Sequence, residues 1–138
     1  MSNEIYHNFP SGSTLYALIH RKSDDGVNII GSANFEAWVD GNIATYVLAM
    51  TDHDGDYYTV DFPATITDTT QQPYRITVRL QGGGSPVADG NVDRAIAQSE
   101  IFWDGVNEVD IGTINITNQT VTNIYDESTP PPVTVINV

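Results

Sequence analysis

The densest concentration of chemistry-bearing side chains is Asp52-His53-Asp54-Gly55-Asp56, three carboxylates and an imidazole within five residues. Such a run could offer oxygen ligands to Ca²⁺, but an EF-hand loop needs glycine at its sixth position and a bidentate Glu at its twelfth. Here Gly55 is fourth and Pro63 stands twelfth. Asp-Gly between two strand-like runs is instead a hairpin signal, and Asp24-Asp25-Gly26 and Asp89-Gly90-Asn91 read as turns by the same logic. His7, His20 and His53 lie in separate segments, with no His-x-x-x-His or His-x-Glu pair to suggest zinc. Ser85 and Ser99 lack a Gly-x-Ser-x-Gly elbow, and Gly82-Gly83-Gly84 runs into Ser85-Pro86 rather than the Lys-Ser/Thr of a phosphate loop. Nothing in the spacing marks out two carboxylates for glycoside hydrolysis. The expectation is a non-enzymatic protein with no metal and no cofactor.

The elements that must position these residues are strands. In Tyr74-Arg75-Ile76-Thr77-Val78-Arg79-Leu80-Gln81 every even position is apolar and every odd one polar, the period of a strand with one wet face. Similar runs cover residues 14–21, 34–39, 44–51, 57–62, 96–103 and 106–111, with Gly-, Asp- and Pro-rich turns between them. This spacing predicts an all-β fold, an antiparallel immunoglobulin-like β-sandwich with an extended C-terminal strand segment. A short helix over residues 92–98 is the competing reading there, since Ala, Arg and Gln are good helix formers. Trp38, Trp103, Phe35, Phe62 and Phe102 are the expected anchors of a two-sheet core.

With 138 residues, 40% of them hydrophobic, the chain has the size of one domain with an appendage. Eighteen acids against five bases give a net charge of -13, which repels phosphate backbones and anionic bilayers and argues against nucleic-acid and membrane-surface roles. The absence of cysteine removes disulfides, thiolate metal sites and cysteine nucleophiles. The N-terminal residues lack a basic and apolar signal pattern, so synthesis in the cytoplasm without a cleaved signal is expected. The Asn115 and Asn118 sequons sit in an Asn/Thr-rich tract and read as chance.

The division predicted is an N-terminal arm over 1–8, a sandwich over 9–112 and an assembly tail over 113–138. The tail spaces Ile114, Ile116, Val121, Ile124, Val133, Val135 and Ile136 through Asn, Thr and Gln, with Pro130-Pro131-Pro132 interrupting it. These are too few apolar groups for a core of their own, and a lone strand-prone segment is an unpaired edge. They are expected to form an oligomer interface, a homotrimer ahead of a dimer.

The strings Leu15-Tyr16-Ala17-Leu18-Ile19-His20-Arg21, Tyr46-Val47-Leu48-Ala49-Met50-Thr51, Tyr57-Tyr58-Thr59-Val60-Asp61-Phe62-Pro63, Tyr74-Arg75-Ile76-Thr77-Val78 and Ile101-Phe102-Trp103-Asp104-Gly105 resemble a small β-rich module of tailed-bacteriophage and prophage structural proteins. The resemblance covers residues 9–111, and the tail resembles the trimeric β-stalks of phage fibres and head decorations. It implies a virion structural protein, a capsid decoration or a head-fibre or fibre-base component, whose partners are its own copies and other virion proteins such as the major capsid protein. The alternative from another class is a carbohydrate-binding sandwich in which Tyr57, Tyr58 or Trp38 stacks on sugar.

Overall fold

The computed structural model describes residues 3–109. Ile114, Ile116, Val121, Ile124, Val133, Val135 and Ile136, and with them the proposed oligomer interface, lie outside the described residues. In chain order the elements are β1 (Ile5–Asn8), β2 (Leu15–Arg21), β3 (Val27–Asn28), β4 (Phe35–Glu36), a 3-10 turn (Asp40–Asn42), α1 (Ile43–Tyr46), β5 (Leu48–Ala49), β6 (Thr51–Asp52), β7 (Tyr57–Val60), β8 (Gln72–Leu80) and β9 (Arg94–Trp103). They form a three-stranded sheet, β1-β7-β6, and a six-stranded sheet, β4-β3-β2-β8-β9 with β5 also on β2. Every strand pairing is antiparallel.

The strand with the clearest alternation behaves as its pattern requires on one face. Tyr74, Ile76 and Val78 of β8 are buried, and they meet Ile5, Phe62, Ile66, Ala17, Ile19, Ile101, Trp103, Leu15 and Tyr58 between the two sheets. The architecture is therefore all-β and sandwich-like. Phe62 and Trp103 lie 4.4 Å apart at its centre, and the Trp103 indole N–H donates to the Ile66 carbonyl at 2.8 Å, so the ring is buried without an orphaned donor.

The unbroken apolar run Leu15-Tyr16-Ala17-Leu18-Ile19 has a separate consequence. A strand apolar at every position needs cover on both faces. Residues 29–47 supply the second cover: Ile43 and Tyr46, three apart on the single helical turn α1, pack with Ile29, Trp38 and Val47 against Tyr16 and Leu18. For this reason residues 44–51 are not the continuous strand expected. They form a turn of helix followed by β5 and β6, which belong to different sheets and are joined by Met50, whose N–H donates to the Leu15 carbonyl at 3.0 Å.

Other boundaries also move. The 34–39 run keeps only Phe35–Glu36 as strand, and of the 92–98 segment residues 94–98 enter strand β9 rather than a helix because β8 offers a full-length ladder partner. Within the expected arm, Ile5–Asn8 pairs residue for residue with Tyr57–Val60 and buries Ile5. Phe35, Trp38 and Phe102 are half-buried rather than central. No helix among the described residues is long and apolar enough to cross a membrane.

Candidate functional site

Four groupings of polar or aromatic side chains are built by this frame. The first is internal. Asp93, fully buried, accepts hydrogen bonds from the Tyr16 hydroxyl at 2.7 Å, from Gly82 N–H at 2.9 Å and from Val87 N–H at 2.9 Å. Burial disfavours its charge, but the Gly82, Tyr16 and Val87 donors and the nearby Arg79 cation outweigh it and hold the carboxyl below its usual range. Burial, then the hydrogen bond to Asp93, pushes Tyr16 up to about 12. The Arg79 guanidinium lies 5.8 Å from the Trp38 ring centroid and reaches the Val87 and Ala88 carbonyls at 3.3 and 3.4 Å. The trio clamps the long β8 to β9 connection onto β2. Sequence reading missed it; the available signal was a lone Asp93 just after the Asp89-Gly90-Asn91 turn.

The second lies on the outer face of the larger sheet. His20 stacks on Trp38 at 6.1 Å, Trp38 packs on Tyr46 at 4.9 Å, and the Tyr46 hydroxyl donates to Glu36. Burial, then the Arg75 cation, lowers the His20 pKa, and its buried Nδ1 has no hydrogen-bond partner among the described residues. Trp38 is thus held inside a side-chain stack, with its Nε1–H on Asp40 at 2.6 Å.

The third is the Asp52 to Asp56 cluster and the sheet face beside it. Asp52 accepts from Gly12 N–H at 2.8 Å and Asp54 N–H at 2.9 Å, and Asp56 accepts from Ser11 N–H at 3.0 Å. Asp54 and Asp56 occupy the left-handed region at φ 60 and 63°, which places them in a tight reversal. The Asp52 and Asp56 carboxylates serve the backbone of this turn and of the Ser11-Gly12 segment, and no group of three or more His, Cys, Asp or Glu among the described residues is placed to hold a metal. Next to the turn, His53 stacks on Tyr57 at 4.7 Å with 9° between the rings, and its Nε2 lies 2.6 Å from Thr59 Oγ1. Tyr57 is 43% exposed and Tyr6, on the adjacent strand, is 71% exposed. Tyr58 points the other way into the core, with its hydroxyl on the Pro10 carbonyl at 2.8 Å, so it is unavailable for stacking on a sugar.

The fourth is an edge. On the side away from β8, β9 is paired only where Trp103 meets Glu108, among the described residues. Beside it runs a cleft of about 340 Å³ between β9 and β1, lined by Tyr6, His7, Val78, Ala97, Ser99 and Ile101 among others. Burial and then the charge of Glu4 raise the pKa of Glu108, which also lines the cleft.

The geometry brings together hydrogen-bonding surfaces and exposed rings. His7 and Ser99 line the same cleft, and among the described residues no hydrogen bond joins Ser85 or Ser99 to His7, His20 or His53. No family model, curated protein or solved structure matches the chain.

Proposed function

We propose that this is a structural protein of a tailed-phage virion, a capsid decoration or a head-fibre or fibre-base component, that acts by assembly rather than by catalysis. In this reading the domain is an immunoglobulin-like sandwich, the segment 113–138 joins copies into a homotrimer, and other virion proteins such as the major capsid protein are its further partners. The protein is made in the host cytoplasm and resides in the particle. The observation that carries the reading is the long edge of β9, which lies beside a cleft and among the described residues is paired only at Trp103, on an acidic domain whose larger sheet is covered on both faces at β2. An edge of unpaired backbone groups favours strand-mediated assembly, and a charge of -13 keeps the domain off packaged nucleic acid. Sedimentation of the full chain and of a chain ending at Gly112 tests it. The full chain is expected to be trimeric and the shortened one monomeric; the same oligomer for both rejects the tail as the assembly element.

A second reading, adhesion to carbohydrate, is favoured by the exposed Tyr6 and by the Tyr57 and His53 ring pair. It replaces the Tyr57, Tyr58 or Trp38 platform with Tyr57, His53 and Tyr6. Retention on immobilised polysaccharides that is abolished by Tyr57→Ala, with melting unchanged, would support it over assembly.

A further inference from the structure

A row of directly paired residues crosses the larger sheet: Val27 on β3, His20 on β2, Arg75 on β8 and Glu100 on β9. Arg75 pairs with Asp25 at 3.3 Å, and Glu100 takes Lys22 at 2.7 Å. His20 is held differently. Its ring stacks on Trp38 with 19° between the planes, and its buried Nδ1 has no hydrogen-bond partner among the described residues. Trp38 belongs to the 29–47 segment that covers Tyr16 and Leu18, so the imidazole is wedged between the β2–β8 ladder and this cover.

We propose that His20 is an acid-sensitive latch: its neutral ring holds Trp38, and with it the 29–47 cover, on the outer face of β2, and its protonation loosens the cover while the two-sheet core stays closed. A proton on His20 adds a third cation beside Arg75 and Arg79 of β8. It also makes both ring nitrogens donors, and the buried Nδ1–H then has no acceptor among the described residues. The anions nearby are already engaged. Asp25 is on Arg75 and Glu100 on Lys22, while in the cover Asp40 accepts from Trp38 Nε1–H at 2.6 Å and Glu36 accepts from Asn42 at 3.1 Å and from the Tyr46 hydroxyl. Burial and the Arg75 charge lower the His20 pKa from 6.5, so its contribution is complete above pH 6.5 and is lost as pH falls towards the lower folded value. The cover yields before the sheet does. Strand β2 is fixed to β8 along its whole length from Leu15 to Arg21, whereas the cover is held by side-chain packing and by isolated backbone bonds such as Ile30 N–H to the Thr45 carbonyl at 2.9 Å. Loosening it bares Tyr16 and Leu18, and this holds whether or not copies of the chain associate.

Amide exchange of the full chain tests the latch, read as protection factors corrected for intrinsic pH dependence at about pH 7.5 and about pH 5. The amides of Ile29 and Ile30, which donate to the Asn34 and Thr45 carbonyls, report the cover. Their protection is expected to fall on the order of tenfold, and that of the β2–β8 ladder less than about twofold. His20→Phe keeps a ring on Trp38 and cannot titrate, so it is expected to hold the cover's protection constant. Arg75→Gln leaves the stack in place and removes one neighbouring cation, so the loss is expected to shrink to less than about half. Unchanged protection in the unaltered chain, an equal loss in cover and ladder, or an undiminished loss in either variant overturns the proposal.

Discussion

The hydroxyl of Tyr16 donates to the carboxylate of Asp93 at 2.7 Å across 77 positions of sequence, and both groups are withdrawn from water. One hydrogen bond thus ties the central strand of the larger sheet to the end of its longest connection. Removing Asp93 leaves the Tyr16 hydroxyl and two backbone donors without an acceptor. Asp93→Ala is expected to cost about 3 kcal/mol and Tyr16→Phe about 1–2 kcal/mol in urea unfolding, since bonds to a charged acceptor exceed neutral ones. Equal, negligible losses for both would show that the clamp contributes nothing.

The same pair sets a pH dependence. Tyr16 has a raised pKa in the folded protein, so its contribution is fully present below the ordinary tyrosine value of 10.0 and is lost as pH rises through about 12. Asp93 is lowered, so its contribution is present above the ordinary carboxylate value and is lost as pH falls through the lower folded value. The urea midpoint of Tyr16→Phe should lose its extra alkaline sensitivity while keeping the acid limb.

Gly105 combines φ +100° with a site where an added Cβ would meet the Thr67 carbonyl oxygen at 2.8 Å. Gly105→Ala is expected to cost about 2 kcal/mol or more, combining backbone strain with a backbone clash. Gly41→Ala, at an open position without positive φ, serves as the control and should change the melting temperature little.

Calcium removal gives a further check on the Asp52 to Asp56 segment. Because Asp52 and Asp56 accept backbone N–H groups of Gly12 and Ser11, a chelator should leave the melting temperature unchanged. A calcium-dependent rise of many degrees would mean that the carboxylates trade these donors for an ion.

Strand β8 shows how far sequence reading reached and where it stopped. Ile76 lies fully buried as the alternation requires, and Ile76→Asp should unfold the domain. Arg79, expected on a wet face, is half-buried under Trp38 and the 87–88 carbonyls. Arg79→Asp should therefore cost about 2–3 kcal/mol rather than the fraction typical of an exposed site. Period-two patterning reports which side of a strand is apolar; it does not report that a distant segment with its own aromatics will cover the polar side. The same limit hid β1, where a single buried Ile5 among polar residues gives no period to read, and it hid the clamp at Asp93, whose partners come from distant β2 and from the backbone of its own connection.

The pairing of β2 with β8 carries a consequence for how the protein comes into being. Leu15 pairs with Leu80 and Arg21 with Tyr74, and β1 waits likewise for β7. Loop closure must precede these ladders, which makes folding slow for a chain of this size. During synthesis the apolar stretch of β2 emerges well before its ladder partner, as a bare template for aggregation. The surplus of acidic residues then has a use unrelated to any partner: nascent chains repel one another during the interval in which β2 has nothing to bind.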